Sequence, residues 1–158
     1  MLQLRSVSLF GGCTDAQLRD FSSRSIELRL AVGEVVVCAG ALADQVPIVL
    51  DGYAGAESHG LPVIVLGPGA VIGGPEALDG ALHLMTVIAQ TPMVLRVISA
   101  IDFSEIVATA PGFATALIRQ LGGRTRTVLD ELVCARQGSV TPRVGHVRVQ
   151  GSRACQGP

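Results

Sequence analysis

Hydrophobic positions change period twice along the 158-residue chain, from helical to alternating and back to helical. Near the start, Thr14-Asp-Ala-Gln17 has the reciprocal pattern of a capping box: the hydroxyl accepts from the third helical amide and the glutamine reaches back. A helix therefore begins there, with Leu18 and Phe21 on its buried face. From Ile26 the pattern alternates through Leu28 and Leu30. Short apolar, largely β-branched runs follow at Val35–Val37, Ile48–Leu50, Val63–Leu66, Val71–Ile72, Met85–Ala89 and Val94–Ile98. Turn residues separate them: Gly33, Gly40, Asp51-Gly52, His59-Gly60, Gly67-Pro-Gly69 and Asp79-Gly80. Many short strands with frequent reversals predict a barrel or sandwich.

Helical spacing returns at Ser99-Ala-Ile-Asp102, a second cap pattern, followed by Phe103, Ile106 and Val107. Pro111 then opens a longer helix running to about Val133, since a proline without an amide proton is harmless in a first helical turn. Its apolar stripe is Phe113, Leu117, Leu121, Val128 and Leu132. Gly122-Gly123 lies across that stripe at a propensity cost of roughly 1 kcal/mol per glycine, which predicts a bend or break.

Two segments carry a family resemblance. Gly69 to Ala89 aligns without a gap on the phosphate-binding cassette of the cyclic nucleotide-binding domain family, which runs Gly-x-Phe-Phe-Gly-Glu-Leu-Ala-Leu-Leu, a short spacer, then Pro-Arg-x-Ala-Thr-Val. Gly69, Gly73, Ala77, Leu78, Thr86 and Val87 keep the frame. Upstream, Val32-Gly-Glu-Val-Val-Val-Cys-Ala-Gly40, Asp44 and Ile48-Val-Leu-Asp-Gly52 are similar to the family's earlier landmarks at the family's spacing. The resemblance covers roughly Leu4 to Leu132. It implies a mainly β fold with flanking helices: a jelly-roll β-barrel with an N-terminal helix and C-terminal helices, occupying residues 1–136.

The resemblance also shows what this cassette lacks. Gly74 stands where the family's acid holds the ribose 2′-hydroxyl, and His83 stands where its arginine grips the cyclic phosphate. An imidazole in place of a permanently charged, bidentate guanidinium weakens phosphate capture. Pro75 has no amide proton to offer a phosphate. Leu84 replaces a frequent serine or threonine and Met85 a small alanine, which predicts apolar filling of the pocket. Gly73 can still bring backbone close to an anion, and Thr86 retains a hydroxyl. Gly73, Gly74, Pro75, His83, Leu84, Met85 and Thr86 therefore form the candidate pocket. The expected role is a non-catalytic regulatory or protein-interaction module with cAMP recognition weakened or lost. The alternative is a genuine cAMP or cGMP sensor with altered phosphate contacts, the nucleotide being a regulatory ligand and not a cofactor.

A cupin-like barrel enzyme is a lower-ranked reading. His59, His83 and His146 are scattered, with no His-x-His pair and downstream carboxylate to assemble a metal centre, and no Gly-x-Ser-x-Gly elbow presents a nucleophile. Cys13, Cys38, Cys134 and Cys155 are too widely spaced for a zinc cluster and read as free thiols, with Cys38 a buried residue of a core strand.

Charge divides the chain. Residues 1–135 hold all thirteen acids against eight arginines, whereas 136–158 hold four arginines and no acid. Residues 137–158 read as a basic, flexible tail rich in glycine and proline. They contain no paired helical pattern, so no helix-turn-helix DNA reader is expected after the long helix. Regulation would then pass through a surface: either a second copy or a regulated protein on the Phe113 to Leu132 helix face. Although 49% of residues are hydrophobic, they occur in interrupted runs, and the N-terminus lacks a signal-sequence pattern. A cytoplasmic protein with no membrane contact is expected.

Overall fold

The capping box at Thr14 starts a helix because both of its reciprocal bonds form: Gln17 N–H donates to Thr14 Oγ1 at 3.3 Å, and Thr14 N–H donates to Gln17 Oε1 at 2.9 Å. The computed structural model describes residues 2–58 and 61–138. Two short elements precede that cap, α1 (Leu2–Arg5) and a 3₁₀ turn at Ser8–Phe10. The capped helix is α2 (Asp15–Arg24). Among the described residues seven strands follow: β1 (Ser25–Leu30), β2 (Val35–Val37), β3 (Gln45–Asp51), β4 (Ala54–Ser58), β5 (Leu61–Leu66), β6 (Thr86–Ala89) and β7 (Met93–Ser99). Between β5 and β6 lies α3 (Gly74–Asp79), and after β7 come α4 (Ala100–Thr109) and α5 (Pro111–Gly138).

The strands form two antiparallel sheets, ordered β1-β7-β3 and β2-β6-β4-β5. Their facing sides supply one core of small and branched residues, including Val49, Ala54, Ala56, Leu66, Ile72, Val87, Met93 and Leu95. Together with the flanking helices this is the expected mainly β jelly-roll architecture, with the two sheets facing each other in place of a barrel closed by hydrogen bonds. β4 was not legible as a strand. Its Ala54 and Ala56 are completely buried but too small to produce a hydrophobic run. Val71 and Ile72, expected as a strand, contribute only a bridge from Val71 to Ile48. The turn expected at His59-Gly60 lies outside the described residues, although β4 and β5 pair on either side of it.

A second core joins the helices to the outer side of β3. Phe10, Phe21, Phe103 and Phe113 pack with ring centroids 4.8 Å apart for Phe10–Phe21, 5.6 Å for Phe10–Phe113 and 6.0 Å for Phe103–Phe113. Leu4, Leu18, Ile48, Val71, Ile106 and Leu117 surround them. The three expected helices thus share one apolar cluster. Arg24 adds a polar tie, donating to Asp20 at 2.9 Å on its own helix and to Asp102 and Glu105 at 3.2 and 2.5 Å on α4.

Ser99 caps α4 by accepting from Asp102 N–H at 3.1 Å while its hydroxyl donates to the Asp102 carboxylate at 2.6 Å. That hydroxyl, and secondarily Arg24, holds the Asp102 carboxyl below its ordinary value of 3.8, against partial desolvation. A carboxyl with a depressed folded-state value stabilises the fold above its unfolded value and loses that contribution as pH falls through the folded one. Stability should therefore drop as pH falls below 3.8. The acid-dependent part of that drop should shrink in Ser99→Ala, read as the urea midpoint against pH. An identical pH slope in the variant would show that the Ser99 contact does not set it.

By internal contacts the chain divides at Gly123–Arg124. Met1–Gly123 holds both sheets and both cores. In Arg124–Pro158 the described residues, 124–138, are the remainder of α5. Of the bend or break expected at Gly122-Gly123, a break does not occur: α5 continues as one helical element through both glycines. A propensity deficit of about 1 kcal/mol per glycine is small beside the packing of the preceding turns. No single described helix is long and apolar enough to cross a membrane. The basic segment beyond Gly138, with His146 and Cys155, lies outside the described residues.

Candidate functional site

The cassette is built around a left-handed glycine. Gly73 precedes α3 with φ 68°, ψ 16°, a conformation open to glycine because a Cβ there meets the backbone. Pro75 takes the first helical turn, where its missing amide is tolerated, and Gly80 closes the six-residue helix with φ 66°. The chain then runs back beside the loop after β2. His83 N–H donates to Ala41 O at 2.9 Å, and His83 O accepts from Gly40 N–H at 2.8 Å. Both backbone groups of His83 are thereby fixed, and its side chain is carried inward to 7% exposure.

The buried imidazole lies against Gly73. A Cβ built on Gly73 would fall 2.2 Å from His83 Cε1 and 2.7 Å from Nδ1, so the ring occupies the space in front of the glycine. Gly74 faces the other way, into the helical core. A Cβ there would lie 2.8 Å from Val71 Cγ1 and 3.5 Å from Phe103 Cζ. Gly74 itself is buried, and Val71 is 1% exposed. The acidic position is therefore not an empty socket awaiting a carboxylate; in this structure its side-chain space is filled by core.

The remaining candidates divide. Pro75 is exposed. Met85 packs against the core between the sheets, in line with apolar filling. The apolar filling expected of Leu84 does not occur, because Leu84 is 76% exposed: the alternation from His83 to Met85 turns it outward. Thr86 Oγ1 accepts from Ala39 N–H at 3.1 Å, tying β6 to the loop after β2. Cys38 belongs to that loop and is exposed, a correction to its reading as a buried strand residue: β2 ends one residue earlier, at Val37. Among the described residues no group of three or more His, Cys, Asp or Glu side chains could hold a metal.

Sequence reasoning missed one polar residue that braces the cassette. Gln120 on α5 accepts from Val71 N–H at 3.3 Å and donates to Gly69 O at 2.6 Å, so its carboxamide pairs with the backbone leading into Gly73 much as a neighbouring strand would. A glutamine within a helical pattern gives no signal of such a role.

The family model of the cyclic nucleotide-binding domain matches residues 27–110, more than half of the chain. The chain belongs to the cyclic nucleotide-binding domain family. No curated protein matches it in sequence. Among solved structures, this cyclic nucleotide-binding domain resembles the Thermus thermophilus catabolite activator protein with a TM-score of 0.68 at 21% identity, covering 82% of this chain and 63% of that one. It thus spans less than two thirds of that protein. It also resembles the N-terminal domain of a transcriptional regulator from Streptomyces coelicolor A3(2), with a TM-score of 0.59 at 26% identity and coverage of 82% and 94%. A third neighbour is the structure described as Sp-2Cl-cAMPS bound to PKAR CBD2, with a TM-score of 0.69 at 17% identity and coverage of 82% and 86%.

The candidate interaction stripe on α5 is split by the fold. Phe113 and Leu117 are 0% and 3% exposed within the aromatic core, and Leu121 packs partly against it. Phe113 and Leu117 are thus spent in the domain's own core and present no face to a partner. Leu132 is exposed, with Leu129 and Val133 beside it, while the Val128 side chain lies outside the described set.

Proposed function

We propose that this chain is a non-catalytic regulatory domain whose cassette has lost ordinary cAMP recognition, its pocket being occupied by the domain's own side chains. The observation that carries this reading is the placement of His83, nine-tenths buried and packed on Gly73, where the family resemblance puts the phosphate-binding arginine. The enclosure of Gly74 by Val71 and Phe103 supports it from the opposite side, since a glutamate at this position has to displace core atoms. Two charge-assisted contacts are absent at once. Each is worth about 1.5–3 kcal/mol, so their joint loss weakens affinity by roughly two to four orders of magnitude.

Titration calorimetry of the purified chain with cAMP and with cGMP at neutral pH tests this directly. Neither nucleotide should saturate the protein at low micromolar concentration. Saturation with either would overturn the reading and establish a nucleotide sensor that uses altered phosphate contacts.

A further inference from the structure

A cleft separate from the cassette pocket lies between the Ser8–Phe10 turn and the middle of α5. It encloses about 370 Å³ and is lined by Ser8, Leu9, Ala116, Arg119 and Gln120. That volume lies in the range that accommodates small ligands, roughly 300–1,000 Å³. Leu9, only 3% exposed, and half-buried Ala116 supply an apolar floor. Among the described residues no acid lines the cleft. Arg119 enters none of the ion pairs or side-chain hydrogen bonds among the described residues, so no described acid neutralises its guanidinium. A guanidinium presents its N–H groups in a planar fork that matches the two oxygens of a carboxylate or phosphate.

We propose that this cleft binds the oxyanion of a small organic acid, a carboxylate or phosphate carried on a compact apolar body. Arg119 makes the charged contact, Ser8 and Gln120 supply neutral hydrogen-bonding groups, and the body rests on Leu9 and Ala116. The site adjoins the cassette through Gln120, whose carboxamide lines the cleft and also bonds Gly69 O and Val71 N. The amide has a second N–H to donate, so an occupant that engages it shares the carboxamide with the backbone leading into Gly73. Occupancy therefore reaches the cassette entrance without entering the nucleotide pocket.

Benzoate and phenyl phosphate separate the two headgroups, and benzamide is their neutral counterpart. In NMR titrations of the full chain, one or both anions should saturably shift the Gln120 side-chain amide together with the Gly69 and Val71 backbone amides, whereas benzamide should not. Arg119→Gln, at an exposed position, should leave the protein folded and weaken the response by about tenfold or more. Response to one anion alone identifies the headgroup. No saturable shift with either anion at tens of millimolar, an equal response to benzamide, or an unchanged response in Arg119→Gln would each overturn the proposal.

Discussion

Truncating Phe113 to alanine is expected to lower unfolding stability by about 3–5 kcal/mol, the range for removing a fully buried aromatic ring. Phe113 is 0% exposed and its ring meets Phe10, Phe21 and Phe103 at centroid distances of 5.6, 6.5 and 6.0 Å. It is the one ring in contact with all three others, so its loss leaves a cavity where the 3₁₀ turn, α2, α4 and α5 meet. Those elements cannot all collapse onto it without disturbing the sheet beneath. Ile118, five residues along the same helix and 69% exposed, provides the internal comparison. Ile118→Ala should change stability by no more than about 0.5 kcal/mol, as is usual for surface positions away from special features. Urea unfolding of both variants checks the pair. A Phe113→Ala variant within about 1 kcal/mol of the parent would mean that this cluster is not the packing centre of the helical layer.

The second large effect is expected at the cassette, and it is a coupling between two positions. Gly73→Ala forces an alanine into the left-handed region, which costs about 1–2 kcal/mol. It also drives the new methyl into the His83 ring, because a Cβ there lies 2.2 Å from Cε1. Overpacking of a buried site adds roughly 1–3 kcal/mol, giving a total of about 2–5 kcal/mol. In a His83→Ala background the second contribution should vanish while the backbone strain remains. The double-mutant cycle in urea should therefore show an interaction of at least about 1 kcal/mol, with Gly73→Ala milder once the imidazole is gone. Additive effects would indicate that the ring does not rest on Gly73 in solution. They would also remove the main support for a self-occupied pocket.

Much of the architecture was legible along the chain because its signals are local. The capping box at Thr14, the serine cap at Ser99 and Pro111 mark helix starts through bonds and dihedrals within a few residues, and all three stand at the beginning of helices. The β-branched runs fell on β2, β3, β5, β6 and β7 for the same reason. β4 escaped because Ala54 and Ala56 matter by fitting between sheets, and neither their size nor their hydrophobicity announces a strand. Gly122-Gly123 does not break the helix because propensity is counted per residue, whereas the helix is set by the neighbours that hold its preceding turns.

By itself the sequence determined the family frame and which residues, Gly74 and His83, stand where the resemblance puts the family's two charged contacts, since both depend only on which residue stands at which position in an ungapped pattern. Tertiary structure alone decided what surrounds those two residues. His83 turns inward because Gly40 and Ala41, more than forty positions earlier, fix its backbone on both sides. Gly74 is enclosed because Phe103 arrives from α4 and Val71 is held in the core below. Only the fold showed that Phe113 and Leu117 belong to the core while Leu132 does not, since helical spacing defines a stripe but not how far its covering extends. Gln120 became visible only when α5 lay beside Gly69 and Val71, because a side chain that completes another segment's backbone bonding has no local signature of its own.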